Sequence, residues 1–220
     1  MIARKIASAT IWQIVSKLFT MVMGLISVKI VTSALSQELV GPYFTTYEYL
    51  QFFGILSDFG LYAVAVREVS KAVNKPEALS TLFTLRLLIT VFSLSAAVFI
   101  AFIIPAWQDT VLPMGVIVAA FVPFFTMLAG MERVVFQVHY RMQYVALAEG
   151  LSRITSVGLM LAALLLGLQG ATDPLILYLF IAFGGAGSFV LFVISLIFSR
   201  RFIKRFFSFR LHDAREYFRL

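Results

Sequence analysis

The 220-residue chain has no cysteine, two histidines and only 13% charged residues. Without cysteine there is no disulfide framework, no thiolate metal site and no redox pair. His139 and His212 lack a metal-ligating neighbour at helical spacing, so no metal or other cofactor is expected. The scarcity of charge is the larger departure, because soluble domains carry about a quarter charged residues. Here the deficit is matched by 61% hydrophobic residues and a mean hydropathy of +0.95. No soluble core absorbs that much apolar surface. A cleavable leader is not expected either, since the apolar run after Arg4 and Lys5 continues to Leu35 without a small-residue cleavage pattern.

A second absence is positional. A bilayer crossing takes about 20 apolar residues, and six such stretches fit the chain at roughly 6–35, 42–66, 78–104, 111–137, 144–168 and 174–199. The connections Ser36 to Gly41, Pro105 to Pro113 and Leu168 to Pro174 contain no Lys or Arg, only the acids Glu38, Asp109 and Asp173. The opposite set holds Arg4 and Lys5, then Arg67, Lys71 and Lys75, then Arg133 and Arg141. The expected fold class is therefore an all-α integral membrane bundle of six transmembrane helices, one domain over 1–199, with both termini cytoplasmic.

The formal net charge of +7 is concentrated in the tail over 200–220, where seven basic residues, among them Arg200, Arg201, Lys204 and Arg205, face Asp213 and Glu216. The natural counterion of a juxtamembrane basic run is an anionic headgroup. The segment RRFIKRFFSFR mixes base with aromatic, the composition of a helix lying in the headgroup layer, so these four residues are read as lipid contacts and nucleic acid is not expected as a partner.

Local signals divide the spans. Asn74, Pro76 and Glu77 mark a helix start, Pro105 an end, and Asp173 with Pro174 another start. Pro123 falls inside the fourth span and predicts a kink. Gly184, Gly185, Gly187 and Ser188 in the sixth predict close packing of a neighbouring helix.

Polar residues form stripes. Thr10, Gln13, Lys17, Thr20, Gly24 and Ser27 recur every three or four residues in the first span and share one face. Glu48, Gln51, Asp58 and Tyr62 do the same in the second. Charge at that depth is costly unless it faces water or an opposite charge. Two expectations follow: the stripes line a hydrophilic cavity, or Lys17 pairs with Glu48 or Asp58 and only fastens two helices. Arg86, on a poorer stripe of the third span, either snorkels or points inward. Glu149 and Arg153, four apart with the acid first, are expected to pair along one helix. Glu132 and Arg133 are expected at the interface, and Lys29 is expected to reach headgroups.

Val28 to Lys71 resembles the first two helices of bacterial polysaccharide and O-antigen flippases, of the multidrug, oligosaccharidyl-lipid and polysaccharide exporter superfamily. The likeness rests on Lys29 before Leu35, Gly41 before Tyr43, the run Ser57-Asp58-Phe59-Gly60-Leu61 and Arg67-Glu68, and the six-span pattern extends it along the chain. The resemblance implies one lobe of a two-lobed exporter in the bacterial cytoplasmic membrane, not an enzyme. Ala214 to Leu220 is similar to the stretch that leads into a seventh helix in that family. The expected partner is thus a second, C-terminal lobe or another copy in a homodimer. The implied activity is flipping of an undecaprenyl-pyrophosphate-linked oligosaccharide for surface polysaccharide biosynthesis. Lys17 and Arg86 would attract the diphosphate, and Gln13, Thr20, Gln51 and Tyr62 would bond sugar hydroxyls. Alternatives are a cation-coupled multidrug exporter with its ion at Glu48 or Asp58, or a non-transporting membrane partner. A glycosyltransferase fits least, since the loops offer only isolated acids.

Overall fold

The computed structural model describes residues 2–58, 60–72, 74–168 and 172–202. Among them the helices are α1 (Ile2–Ala34), α2 (Gln37–Asp58), α3 (Leu61–Lys71), α4 (Lys75–Ile103), α5 (Leu112–Ala119), α6 (Phe121–Val138), α7 (Met142–Leu165) and α8 (Pro174–Ser199), with a 3-10 turn at Pro105–Trp107. The chain is an all-α protein, and among the described residues six helical stretches are long and apolar enough to cross a membrane. Two of them are broken: α2 with α3, and α5 with α6.

Each break has a local cause. Gly60 adopts φ 83° between α2 and α3, a left-handed conformation that glycine takes without a Cβ penalty. Pro123 has no N–H to offer the Ala119 carbonyl, and α5 ends at that residue. The bonds on either side, Ala120 N to Val116 O at 2.9 Å and Phe124 N to Ala120 O at 3.1 Å, persist. The kink expected at Pro123 thus lies one turn before the ring. Pro42 behaves differently: α2 starts at Gln37, so Pro42 lies inside it rather than opening it. The carbonyl it leaves without a donor is that of Glu38, in the exposed first turn, where the loss is small.

The helix starts also differ in chemistry. Asp173 Oδ1 accepts from Leu175 N at 2.9 Å, a true cap ahead of Pro174. Asn74 does not cap its helix; its amide donates to Glu77 Oε2 at 2.7 Å. A carboxylate in the first turn is the stronger acceptor.

α7 is central, packing on α8 and on α1, while α6 packs on α8, α3 and α4. α1 scarcely meets α2. The apolar core falls into three clusters. One gathers Val31, Leu35, Leu39, Val116, Leu177 and Phe180, a second gathers Val69, Leu79, Leu82, Met131 and Val134, and a small third gathers Phe136, Met142 and Val145. Beside them lies a polar layer.

The expected close packing at the α8 glycines is present. A Cβ at Gly187 would lie 2.8 Å from both the Ser152 carbonyl oxygen and Ser156 Cβ, and one at Gly184 would collide with Tyr47 Oη. At the end of α8, Arg200 and Arg201 are exposed, and the Arg201 guanidinium stands 5.8 Å from the Phe198 ring centre. Lys204 and Arg205 lie outside the described residues.

Candidate functional site

The polar layer borders two adjoining chambers, both open to the outside of the bundle. The larger, of about 1010 Å³, is lined by Gln13, Gln51, Asp58, Tyr62, Arg86, Gln137 and residues of α6 around Thr126. The smaller, of about 490 Å³, is lined by Lys17, Thr20, Gly24, Ser27, Glu149, Ser152, Ser156 and Ser188. Tyr47, Val122, Thr126, Arg133 and Arg153 border both. Tyr47 is fixed there by donating from Oη to the Ile181 carbonyl at 3.2 Å.

The α1 stripe faces this interior from Gln13 to Ser27. Of the α2 stripe, Gln51, Asp58 and Tyr62 do so, whereas Glu48 is exposed and lines neither chamber. Tyr62 donates to Gln137 Oε1, which ties α3 to the C-terminal end of α6.

Charges pair differently from the sequence-based expectation. Asp58 is taken by Arg86, whose Nη2 donates to Oδ1 at 2.6 Å, and not by Lys17. Arg86 does not snorkel: its side chain is 8% exposed, against 37% for Asp58. The guanidinium lies on Gly130, where a Cβ would be 3.1 Å from Nη2, and it meets Met127 Sδ at 3.3 Å. Glu149 pairs with Arg133 on the neighbouring helix at 3.3 Å rather than with Arg153 on its own. The hydroxyl of Ser16 on α1 donates to the other oxygen of Glu149. A carboxylate held by two helices is better satisfied than one paired along a single helix face.

This leaves an electrostatic remainder. Arg86 with Asp58 and Arg133 with Glu149 cancel, while Lys17 and Arg153 form no ion pair among the described residues. Both line the smaller chamber, whose other polar walls are mostly hydroxyls. Arg153 was hidden from sequence reasoning by its apparent helical partner.

Glu132 reverses another expectation. It is not interfacial but 0% exposed, and neither of its oxygens has a hydrogen-bond partner. Among the described residues no group of three or more acids and histidines is placed to hold a metal ion.

No curated protein and no solved structure matches the chain significantly. A family model does match, over residues 6–220, and it covers the six apolar spans, both chambers and the basic tail. The chain with this charged layer inside a membrane-spanning helix bundle therefore belongs to the polysaccharide biosynthesis protein family.

Proposed function

We propose that the chain carries a lipid-linked oligosaccharide from the inner to the outer leaflet of the bacterial cytoplasmic membrane, with undecaprenyl pyrophosphate as the carrier and both termini in the cytoplasm. The observation that carries the proposal is the uncompensated pair of cations, Lys17 and Arg153, in one chamber. A diphosphate bears at least two negative charges, and in a site of effective dielectric near 20 each ion contact is worth up to about 4 kcal/mol. The adjoining chamber offers Gln13, Gln51 and Gln137, amides that both donate to and accept from sugar hydroxyls. Translocation breaks no bond, so the reading requires no catalytic group. Arg86 contributes less to the cargo than to the bundle, because Asp58 already holds its charge.

Substitution tests this directly. Lys17→Gln and Arg153→Gln each lower outer-leaflet polysaccharide delivery in cells, normalised to membrane protein, and together they lower it by at least about tenfold, the equivalent of about 1.4 kcal/mol. Full delivery by the double variant at normal protein level overturns the assignment.

A further inference from the structure

The apolar spans of α6, α7 and α8 have ends at Val138, Met142 and Ser199, and aromatic contacts bring those three ends together. Phe202, just past α8, packs its ring 5.2 Å from that of His139, 5.8 Å from Tyr144 and 6.2 Å from the fully buried Phe136. Phe198, one turn earlier, lies 4.9 Å from Tyr144. The α6–α7 turn and the outgoing end of α8, distant in sequence, therefore present one surface at the edge of the apolar spans.

The turn itself is strained. It closes through Arg141 N, which donates to the Phe136 carbonyl at 2.8 Å, and this puts Tyr140 in the left-handed region at φ 54°. Glycine usually takes that place, because a Cβ there is strained. Tyr140 holds it with a ring that is 52% exposed, so core packing does not account for the residue. Arg141, next to it, is exposed, as are Arg200 and Arg201. The Phe198 ring that touches Tyr144 also lies 5.8 Å from the Arg201 guanidinium, and Tyr144 N donates to the Arg141 carbonyl at 3.2 Å. No acid occurs in 137–144 or 199–202, and the three arginines form no ion pair among the described residues. Tyr140, Arg141, Arg200 and Arg201 line neither chamber.

We propose that Tyr140, Arg141, Arg200 and Arg201 form a binding surface for the headgroup of an anionic phospholipid. The charge sets the ligand class: arginines with no acid beside them attract a phosphate, whose oxygens a guanidinium meets with two parallel N–H bonds. The position sets its source. The surface lies at the boundary of the apolar spans, the level of phospholipid headgroups and the level at which tyrosine is enriched. The exposed ring of Tyr140 lies along the lipid's glycerol region while the arginines hold the phosphate. Charge in the tail suggests headgroup attraction by Arg200 and Arg201 alone; the fold adds the α6–α7 turn, so one lipid fastens the exit of α8 to α6 and α7. Nothing in this surface depends on the cargo.

Native mass spectrometry of the full chain in detergent tests the surface, with phosphatidylglycerol and phosphatidylcholine of the same acyl chains as probes. The wild-type protein is expected to retain phosphatidylglycerol at least about fivefold better, and Arg141→Gln and the pair Arg200→Gln with Arg201→Gln are each expected to lower that retention about fivefold. Arg67→Gln, which removes an equal charge from an exposed residue of α3, is expected to leave it unchanged. Equal retention of the two lipids overturns the proposal, as does a loss in Arg67→Gln as large as that in Arg141→Gln. Retention lost in the Arg200 and Arg201 pair but intact in Arg141→Gln overturns the part of the α6–α7 turn. Tyr140→Gly supplies a second measurement: relieved of strain, it is expected to melt higher in lipid-free detergent while retaining less phosphatidylglycerol. A lower melting temperature refutes the strain, and undiminished retention refutes the role of the ring.

Discussion

Arg86 reaches from the middle of α4 to the last residue of α2 and donates to Asp58 at 2.6 Å, with the cation more deeply buried than the acid. Removal of the cation therefore leaves Asp58 without its counter-charge. Arg86→Met is expected to cost about 1–3 kcal/mol, below the usual cost of breaking a fully buried pair because Asp58 is partly solvated. Arg86→Met with Asp58→Asn should recover part of that loss. Thermal unfolding of the detergent-solubilised protein gives the comparison, and an Arg86→Met protein as stable as wild type would show that the pair fastens nothing.

Gly187 and Gly158 make a matched test of helix contact. Gly187→Ala drives a methyl against the Ser152 carbonyl and Ser156, atoms of the facing helix, whereas nothing lies within 4 Å of a Cβ at Gly158. The first substitution is expected to lower stability by about 1–3 kcal/mol through overpacking. The second is expected to raise it by about 0.5–1 kcal/mol, since alanine suits a helix interior better than glycine. Melting curves in detergent that rank the two in the reverse order would contradict the α7–α8 packing.

The Lys/Arg-free connections predict an orientation in the membrane that fusions can test. Reporter domains fused after Ser36, Gln108 and Thr172 are expected to be active outside the cytoplasm, and fusions after Asn74 and Arg141 inside it. Ser36 replaces any point nearer Gly41 because α2 already begins at Gln37. Cytoplasmic activity at two of the first three sites would invert the topology.

The helical class and the inward face of α1 were legible because a single straight helix preserves its three-and-four spacing along the whole stripe. α2 shows how that legibility fades. At about 100° per residue, Tyr47, Gly54 and Asp58 cluster near one direction and Glu48 stands about 100° away from it. The acid thus misses the chamber although it steps evenly toward Gln51. Tertiary neighbours decide the remaining cases. Glu149 has an ideal partner four residues on, yet α6 and α1 deliver Arg133 and Ser16 to it. Glu132 sits beside an arginine near a helix end, the pattern of an interfacial pair. Only the packing of the apolar cluster around α6 shows that it is sealed. Which charges cancel is a property of helix neighbours, and a linear pattern holds no record of them.

The seat beneath Arg86 has a consequence for inheritance. The guanidinium occupies the space a side chain at position 130 would fill, with three of its atoms 3.1–3.3 Å from where that Cβ would be. A methyl at 130 would push the guanidinium back by a few tenths of an ångström, and a smaller residue at 86 would leave the Gly130 backbone uncovered. The two positions, 44 apart in the chain, are therefore expected to vary together, with glycine at 130 wherever arginine stands at 86.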